Sequence, residues 1–341
     1  MKIAYAGAAL AFALALSPVG AQNVKITPLG SHDGELCATD RATLFEDPSG
    51  VRILYDVGNT VTGPDDPRLG DIHVVLLSHV HGDHIGDRKL KAVGAGTCAT
   101  PEAVPGSPNS MTAEIAAAKN AALVMTSDMG TFVGAKVEKI RGKPVTPCPQ
   151  AAGVTDVPVA NSCRSNTHLG GAFTAKAAGA TQGVEITIVY ASHANNVPLS
   201  LLSEAHRALH TNEGTSLVIG PPTGYVVKFT NGLTAYLSGD TGVHTEMKTV
   251  VNDYHKANLA MLNFGSSAVT VASAAHAMND LVRPASVILT HVNEAATEGG
   301  KLRPTTRSAA LMKQLKGVTP HLAISGRTME FDGKGKCVKG C

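Results

Sequence analysis

The chain has 341 residues, of which 43% are hydrophobic, 16% are charged and only 4% are aromatic. This length and apolar content suit one large domain or two small ones, and they exclude a disordered chain, which needs high net charge and few apolar residues. The 29 Lys and Arg against 27 Asp and Glu leave a net charge of +2, without the basic run that nucleic-acid or anionic-membrane binding requires.

The first 21 residues predict a secretory signal peptide. Met1 and Lys2 give a positive start, Ile3 to Leu16 form an apolar run, and small residues with a proline lead to Ala21. A membrane anchor is the alternative, but a span needs about 20 apolar residues and this run is shorter. We therefore expect cleavage after Ala21, a mature chain without a membrane span, and a periplasmic or secreted location.

The cysteine content fits an exported chain, because an even number of cysteines in an oxidising compartment favours disulfide bonds. None of the six lies in a CxxC pair, which argues against a zinc ribbon or a thioredoxin-like site. The six are Cys37, Cys98, Cys148, Cys163, Cys337 and Cys341. Local spacing favours the pairs Cys148–Cys163 and Cys337–Cys341.

Apolar runs separated by Gly, Pro, Asp and Asn predict many short strands. The predicted strands are 24–28, 42–46, 52–57, 74–78, 122–126, 136–140, 184–191, 224–230, 233–238, 259–264, 286–290 and 321–325. The predicted helices are 111–121, 200–209, 244–257, 271–282 and 305–315. This mixture favours an α+β protein, with sheets covered by helices on their outer faces.

Residues 141–182 differ from their surroundings, since they are rich in Pro, Gly, Ala and Asn and show no clear periodicity. We interpret this segment as an insertion in one domain that covers 22–341, rather than as a second domain. Long loops of this kind shape substrate pockets, so we expect the segment to influence the substrate.

The segment that carries the chemistry directly follows the strand predicted at 74–78. Four metal-binding side chains lie there within six residues: His79, His81, Asp83 and His84. In an extended chain the first two point the same way, and a glycine turn then aims the other two at a neighbouring point. Imidazoles with a carboxylate suit zinc, with iron or manganese as substitutes.

Three later strands also end at metal-binding residues. His193 follows the strand at 184–191, Asp240 the strand at 233–238, and His291 the strand at 286–290. Strand ends can converge on one edge of layered sheets, so we expect a single site there. His168 is an alternative to His193, although no apolar strand precedes it.

The HxHxDH motif after a strand, with the later His, Asp and His at strand ends, resembles the metallo-β-lactamase-fold superfamily over about residues 24–325. The resemblance implies an αββα sandwich of two mixed sheets with a dinuclear zinc site at one edge. It also implies how the ligands divide. His79, His81 and His193 hold one ion, Asp83, His84 and His291 hold the other, and Asp240 bridges both.

The resemblance further implies hydrolysis without a protein nucleophile. A hydroxide shared by the two ions attacks a carbonyl or similar electrophile, and Asp83 relays a proton. Common zinc β-lactamases carry Cys where Asp240 stands, and flavodiiron oxidoreductases carry Glu where His81 stands. The Ser238–Gly242 stretch is most similar to the lactonase-like branch, which implies a small-molecule ester or lactone as substrate.

Alternatives remain at this point. They are a hydrolytic dehalogenase, a β-lactamase-like amide hydrolase, an iron-dependent oxidoreductase and a non-catalytic metal-binding protein. Asn263, Ser266 and Ser267 follow a strand and are candidates to line the pocket. His276 lies in a predicted helix, so we expect it to have a structural role or to contact the ligands rather than to be a ligand. Surface or packing roles are expected for His206, His210, His244, His255 and His321. A homodimer is the base-rate expectation for the assembly.

Overall fold

The computed structural model describes residues 22–106, 110–265 and 269–341. The predicted signal peptide at 1–21, and Ser266 and Ser267, therefore lie outside the described residues. Two eight-stranded mixed sheets pack face to face, and helices cover their outer faces. This arrangement confirms the predicted α+β class and the αββα sandwich.

The chain alternates between short strands and short helices. The strands are β1 (Val24–Pro28), β2 (Thr43–Glu46), β3 (Arg52–Tyr55), β4 (Val74–Leu76), β5 (Arg88–Leu90), β6 (Ala103–Pro105), β7 (Ala122–Val124), β8 (Val154–Val157), β9 (Cys163–Arg164), β10 (Ala172–Ala177), β11 (Val184–Tyr190), β12 (Thr223–Lys228), β13 (Thr234–Leu237), β14 (Leu259–Asn263), β15 (Ser286–Thr290), β16 (Thr297–Glu298), β17 (Lys301–Leu302), β18 (Thr319–Leu322), β19 (Met329–Phe331) and β20 (Cys337–Lys339). The α-helices are α1 (Gly82–Ile85), α2 (Met111–Lys119), α3 (Ser127–Arg141), α4 (Glu204–Glu213), α5 (Val271–His276) and α6 (Arg307–Gln314).

Further helical turns cover Leu199–Leu201, Met247–Asn252 and Ala277–Val282. Among the described residues, none of the helices combines the length and the apolar character that crossing a bilayer demands.

One predicted strand is wrong, because residues 136–140 lie in helix α3. The sequence Lys-Val-Glu-Lys-Ile there fits a strand, but over a longer stretch apolar residues recur every four positions, which is the spacing of a helix. Met129, Val133 and Val137 are spaced by four and are fully buried in the same apolar cluster. Burial of this helical stripe outweighs the local alternation.

The sheet topology brings the ends of the strands that precede the predicted ligands to one edge. The first sheet has the order β20-β19-β1-β2-β3-β4-β7-β9, and the second has the order β18-β15-β14-β13-β12-β11-β10-β8. In the second sheet β13, β14 and β15 are parallel, and β12 is antiparallel to both β11 and β13. Strands β11, β13 and β15 therefore run in the same direction, and His193, Asp240 and His291 follow their carboxyl ends.

Two buried tyrosines connect the sheets just below this edge. Tyr225 lies in β12 of the second sheet. Its hydroxyl lies 2.7 Å from the carbonyl of Leu77, which follows β4, and 3.1 Å from the carbonyl of Val124, which ends β7. The Tyr55 hydroxyl accepts a hydrogen bond of 3.0 Å from the Gly239 amide. Gly239 has a φ of 58°, and a Cβ there would lie 2.5 Å from the Thr223 carbonyl oxygen, so this turn before Asp240 needs glycine.

Residues 141–182 contribute β8 and β10 to the edge of one sheet and β9 to the edge of the other. Their side chains contact helix α2 and its end, since Ser162 donates to the Ala116 carbonyl and Arg141 donates to Asn120. That this segment is an insertion stays a prediction. The disulfides Cys148–Cys163 and Cys337–Cys341 are confirmed, and Cys37 pairs with Cys98.

Candidate metal centre

The structure brings all seven predicted ligands together at the edge between the sheets. These side chains form three sets, and within each set the possible ligand atoms lie within 4.8 Å of one another. The first set is His79, His81 and His193, called here the three-histidine group. The second is Asp83, His84 and His291, called here the Asp83 group. A third set joins His79 and His84 with Asp240, so Asp240 lies between the two groups.

The three-histidine group is built on the loop after β4 and the loop after β11. His79 Nε2 lies 3.0 Å from His81 Nδ1, and the ring of His193 lies 5.0 Å from that of His79. The other nitrogens face neutral oxygens, with His79 Nδ1 at 3.0 Å from Ser78 Oγ and His81 Nε2 at 3.2 Å from Asn196 Oδ1. Each of these contacts fixes its ring and leaves the inner nitrogen free to bind a cation.

The Asp83 group is more deeply buried on its histidine side. His84 and His291 are almost completely buried, and their rings stack with centroids 5.0 Å apart. Asp83 Oδ2 lies 3.4 Å from His291 Nε2 and 3.8 Å from His84 Nε2. About 42% of the Asp83 side chain is exposed, so this carboxylate is the part of the group that solvent reaches.

Asp240 presents one carboxylate oxygen to each side of the site. Its Oδ1 lies 3.5 Å from His84 Nε2, and its Oδ2 lies 3.3 Å from His291 Nε2 and 3.8 Å from His193 Nε2. Asn263, at the end of β14, donates a hydrogen bond of 3.1 Å to Oδ1 and fixes the carboxylate. A single carboxylate therefore contacts histidines of both groups.

The surroundings of the site favour the ionised form of both carboxylates and the neutral form of three of the histidines. Burial raises the pKa of Asp83, but the nearby His291, His84 and Arg41 side chains outweigh burial and hold this pKa well below its usual range. The pKa of Asp240 is also low, because the nearby His84 and His291 outweigh its burial. Burial lowers the pKa of His79, His193 and His291, which keeps their lone pairs available.

His84 is the exception among these histidines. Burial alone would lower its pKa, but the Asp240 and Asp56 carboxylates on its two sides raise that pKa to about 10. Its Nδ1 lies 2.8 Å from Asp56 Oδ2, while its Nε2 faces the site. The metal-free site therefore holds a proton on this ring at neutral pH.

Sequence reasoning missed Asp56, which follows β3 in the same way that the predicted ligands follow their strands. Its carboxylate accepts hydrogen bonds of 2.8 Å from the Ser78 amide and 2.7 Å from the Ser78 hydroxyl, in addition to its contact with His84. With Ser78 Oγ donating to Asp56, the same oxygen accepts from His79 Nδ1. Asp56 thus orients one histidine of each group, and a strand-end search would have found it.

Arg41 and Asn293 were also missed. Arg41 donates to Asp83 Oδ2 at 3.1 Å and to Asn293 Oδ1 at 2.6 Å. These residues lie 42 and 252 positions from Arg41 along the chain, so no local pattern points to the contact.

The other histidines considered from the sequence lie outside the ligand sets. His168 is exposed, its Nδ1 lies 2.9 Å from the Leu169 carbonyl, and it belongs to none of the three ligand sets found among the described residues. His276 is exposed on α5 and pairs with Asp280. His244 packs against Tyr190, as expected of a packing residue.

The fold and site can be compared with known proteins. No family model matches the chain. A UPF0173 metal-dependent hydrolase of Polynucleobacter asymbioticus is 27% identical over 319 residues, which cover 88% of this chain and 89% of the relative. Another, from Cupriavidus metallidurans, is 27% identical over 258 residues, covering 73% of this chain and 69% of the relative. A solved structure, Igni18, a metallo hydrolase from the archaeon Ignicoccus hospitalis, is 19% identical with a TM-score of 0.53, and the match covers 91% of this chain and 100% of that one.

The sheet topology and the match to this solved structure show that the protein has the metallo-β-lactamase fold. The clustered His and Asp side chains fit the metal dependence named in the relatives. The chain is a metal-dependent hydrolase with this fold, and it is similar in sequence to the UPF0173 metal-dependent hydrolases.

Proposed function

We propose that the protein is an exported dinuclear zinc hydrolase that cleaves a small-molecule ester or lactone. The observation that carries the dinuclear assignment is the position of Asp240. Its two oxygens lie within 3.8 Å of histidine nitrogens from both groups, so one carboxylate can bridge two cations.

The donor set fits zinc. His84 Nε2 and both ring nitrogens of His291 are buried without a hydrogen-bond partner among the described residues. Buried polar atoms without a partner are costly, and a bound cation would satisfy the two inner nitrogens. Five imidazoles and two carboxylates suit Zn²⁺, while iron and manganese accept the same ligands.

The chain's own residues prepare the reaction around such ions. Zinc supplies Lewis acidity, which brings the pKa of water near neutrality. Asp83 is the solvent-accessible carboxylate of the site, so it is placed to take a proton from an attacking water and to pass that proton to a leaving group. Asn263 and Asn196 hold Asp240 and His81 in place by hydrogen bonds, so the ligands need little rearrangement.

The ester or lactone assignment rests on the resemblance of residues 238–242 to the lactonase-like branch and on an aspartate, rather than a cysteine, at position 240. The three disulfides and the predicted signal peptide at 1–21 support export to an oxidising compartment. The partners of this proposal are a small-molecule substrate and a second copy of the chain in a homodimer, with no role for nucleic acid.

The test is a metal and substrate assay on the purified protein. Bound metal is measured first, and turnover is then screened on lactones, carboxylic esters, nitrocefin, phosphodiesters and haloaromatics. We expect turnover of a lactone or ester that is lost on chelation and restored by Zn²⁺. Bound metal without turnover on any of these compounds would support a non-catalytic metal-binding protein instead.

A further inference from the structure

Two short extended stretches, 195–197 and 217–219, form an antiparallel ribbon beside the three-histidine group. Asn196 and Val218 face each other across this ribbon. Backbone hydrogen bonds of 2.8 and 3.1 Å join the stretches on either side of this pair. In a pair placed in this way the two side chains lie close together on the same face, with Cβ atoms about 5 Å apart.

The face that carries this pair is turned toward the metal centre. Asn196 Oδ1 lies 3.2 Å from His81 Nε2. Alternate residues of an extended chain point to opposite faces, and the neighbours of Val218, which are Leu217 and Ile219, pack against the apolar cluster that includes helix α3. Val218 itself therefore lies on the side of the metal centre, and 60% of its surface is exposed.

A second exposed apolar side chain is Leu199, in the helical turn that follows the first stretch of the ribbon. Two hydrogen bonds fix this turn. The Ser200 hydroxyl donates to Asp87 at 3.1 Å, and the buried Lys136 of α3 donates to the Leu201 carbonyl at 3.1 Å. Because Asp87 lies two residues beyond α1, the turn is held beside the helix that carries the second half of the ligand motif.

A third exposed apolar side chain is Val243, in the loop after Asp240. The Gly242 amide donates a hydrogen bond of 3.0 Å to the Ser192 carbonyl, so this loop runs beside the one that carries His193. Single exposed apolar side chains are ordinary on protein surfaces, whereas several around one site indicate a binding surface. Here three of them border the three-histidine group.

We propose that Val218, with Leu199 and Val243, forms an apolar subsite that binds an alkyl group of the substrate on the three-histidine side of the metal centre. Apolar groups that leave water together gain about fourfold in affinity for each buried CH₂. This inference rests on the proposed hydrolysis of an ester or lactone. It adds that the substrate carries an alkyl chain and names Val218 as the residue that selects it.

The kinetic test compares two lactones with the same ring, γ-butyrolactone and γ-decalactone, which adds a hexyl chain. With the zinc-loaded full chain we expect kcat/KM to be at least about tenfold higher for γ-decalactone. Val218→Asn should lower this ratio at least about fivefold, mainly through a higher KM for γ-decalactone. Val218→Leu keeps an apolar side chain and should keep the preference.

The matched control is Val338→Asn, which replaces an exposed valine in β20, at the outer edge of the first sheet. It should leave the ratio of the two lactones unchanged. Circular dichroism checks the fold of each variant, and Val218→Thr replaces Val218→Asn if the latter does not fold. A wild type that turns over both lactones equally well, or a ratio that Val218→Asn leaves unchanged, would overturn the subsite while the hydrolase stands.

A binding measurement separates the subsite from the reaction. Saturation-transfer difference NMR of γ-decalactone with the metal-stripped full chain should show stronger transfer to the hexyl protons than to the ring protons. Val218→Asn should weaken the transfer to the hexyl protons. Equal transfer to chain and ring, or none, would overturn the subsite. Chain-specific transfer without turnover of any ester or lactone by the zinc-loaded protein would instead support the subsite and overturn the proposed function.

Discussion

The three-histidine group and the Asp83 group lie side by side, but different forces hold them. The first is oriented by a hydroxyl and an amide, and His193 leaves about 24% of its side chain exposed. The second lies between the carboxylate of Asp56 and the guanidinium of Arg41, with both histidines buried. The histidines of the first group thus contact neutral side chains, whereas the second group contacts charged ones. We therefore expect the metal affinities of the two groups to respond differently to mutation and pH.

The largest effect should come from Asp240, the one residue that belongs to both settings. Asp240→Ala removes the shared carboxylate, so we expect turnover to fall by about 10³-fold or more and the bound zinc to fall below two equivalents. Metal analysis and steady-state kinetics measure both. His168→Ala is the control and should keep both zinc equivalents. Loss of one equivalent in that variant would show that His168, not His193, is the ligand.

Two variants should compare a charged outer contact with a neutral one, although Asp56 also reaches His79 of the three-histidine group through Ser78. Asp56→Asn weakens the support of His84, and Asn196→Ala removes the acceptor for His81. Changes at such outer contacts cost about 10- to 100-fold in metal affinity. We expect the larger loss from Asp56→Asn, because it removes a charge. Chelator competition measures the constants, and equal losses would contradict the contrast between neutral and charged settings.

Below both groups, Tyr225 should contribute to global stability through its two carbonyl contacts. Tyr225→Phe leaves the buried Leu77 and Val124 carbonyls without this donor, at a cost of about 1–3 kcal/mol in the free energy of unfolding. Tyr236→Phe is the matched control, because the Tyr236 hydroxyl is buried without a partner among the described residues. Its removal should be neutral or stabilising in denaturant unfolding. A larger loss from Tyr236→Phe would contradict this account of the framework.

The smallest expected effect is the release of a proton from His84 when zinc binds. His84 has a pKa of about 10 in the metal-free site, so its ring is protonated at pH 8 and must lose that proton before Nε2 can bind zinc. We expect release of about one proton from this residue on zinc binding, and an affinity that rises with pH up to about 10. Calorimetry in buffers of different ionisation enthalpy measures the release. Asp56→Asn should reduce it, and an unchanged release would argue against Asp56 as a cause of the raised pKa.

The sequence predicted that seven candidate ligands would lie together, because each lies in or after a short apolar strand and parallel strand ends meet at one edge. Asp56 follows the same rule and was overlooked. Arg41 could not be predicted, since its contacts depend on how the segment between β1 and β2 folds over the site. The error at 136–140 has a similar origin, because burial against the first sheet, rather than local alternation, selects the helix α3.

The most direct test of the central claim is a crystal structure of the zinc-loaded protein with anomalous diffraction at the zinc edge. We expect two anomalous peaks, one among His79, His81 and His193 and one among Asp83, His84 and His291, with Asp240 in contact with both. A single peak at saturating zinc, or peaks away from these side chains, would contradict the dinuclear site.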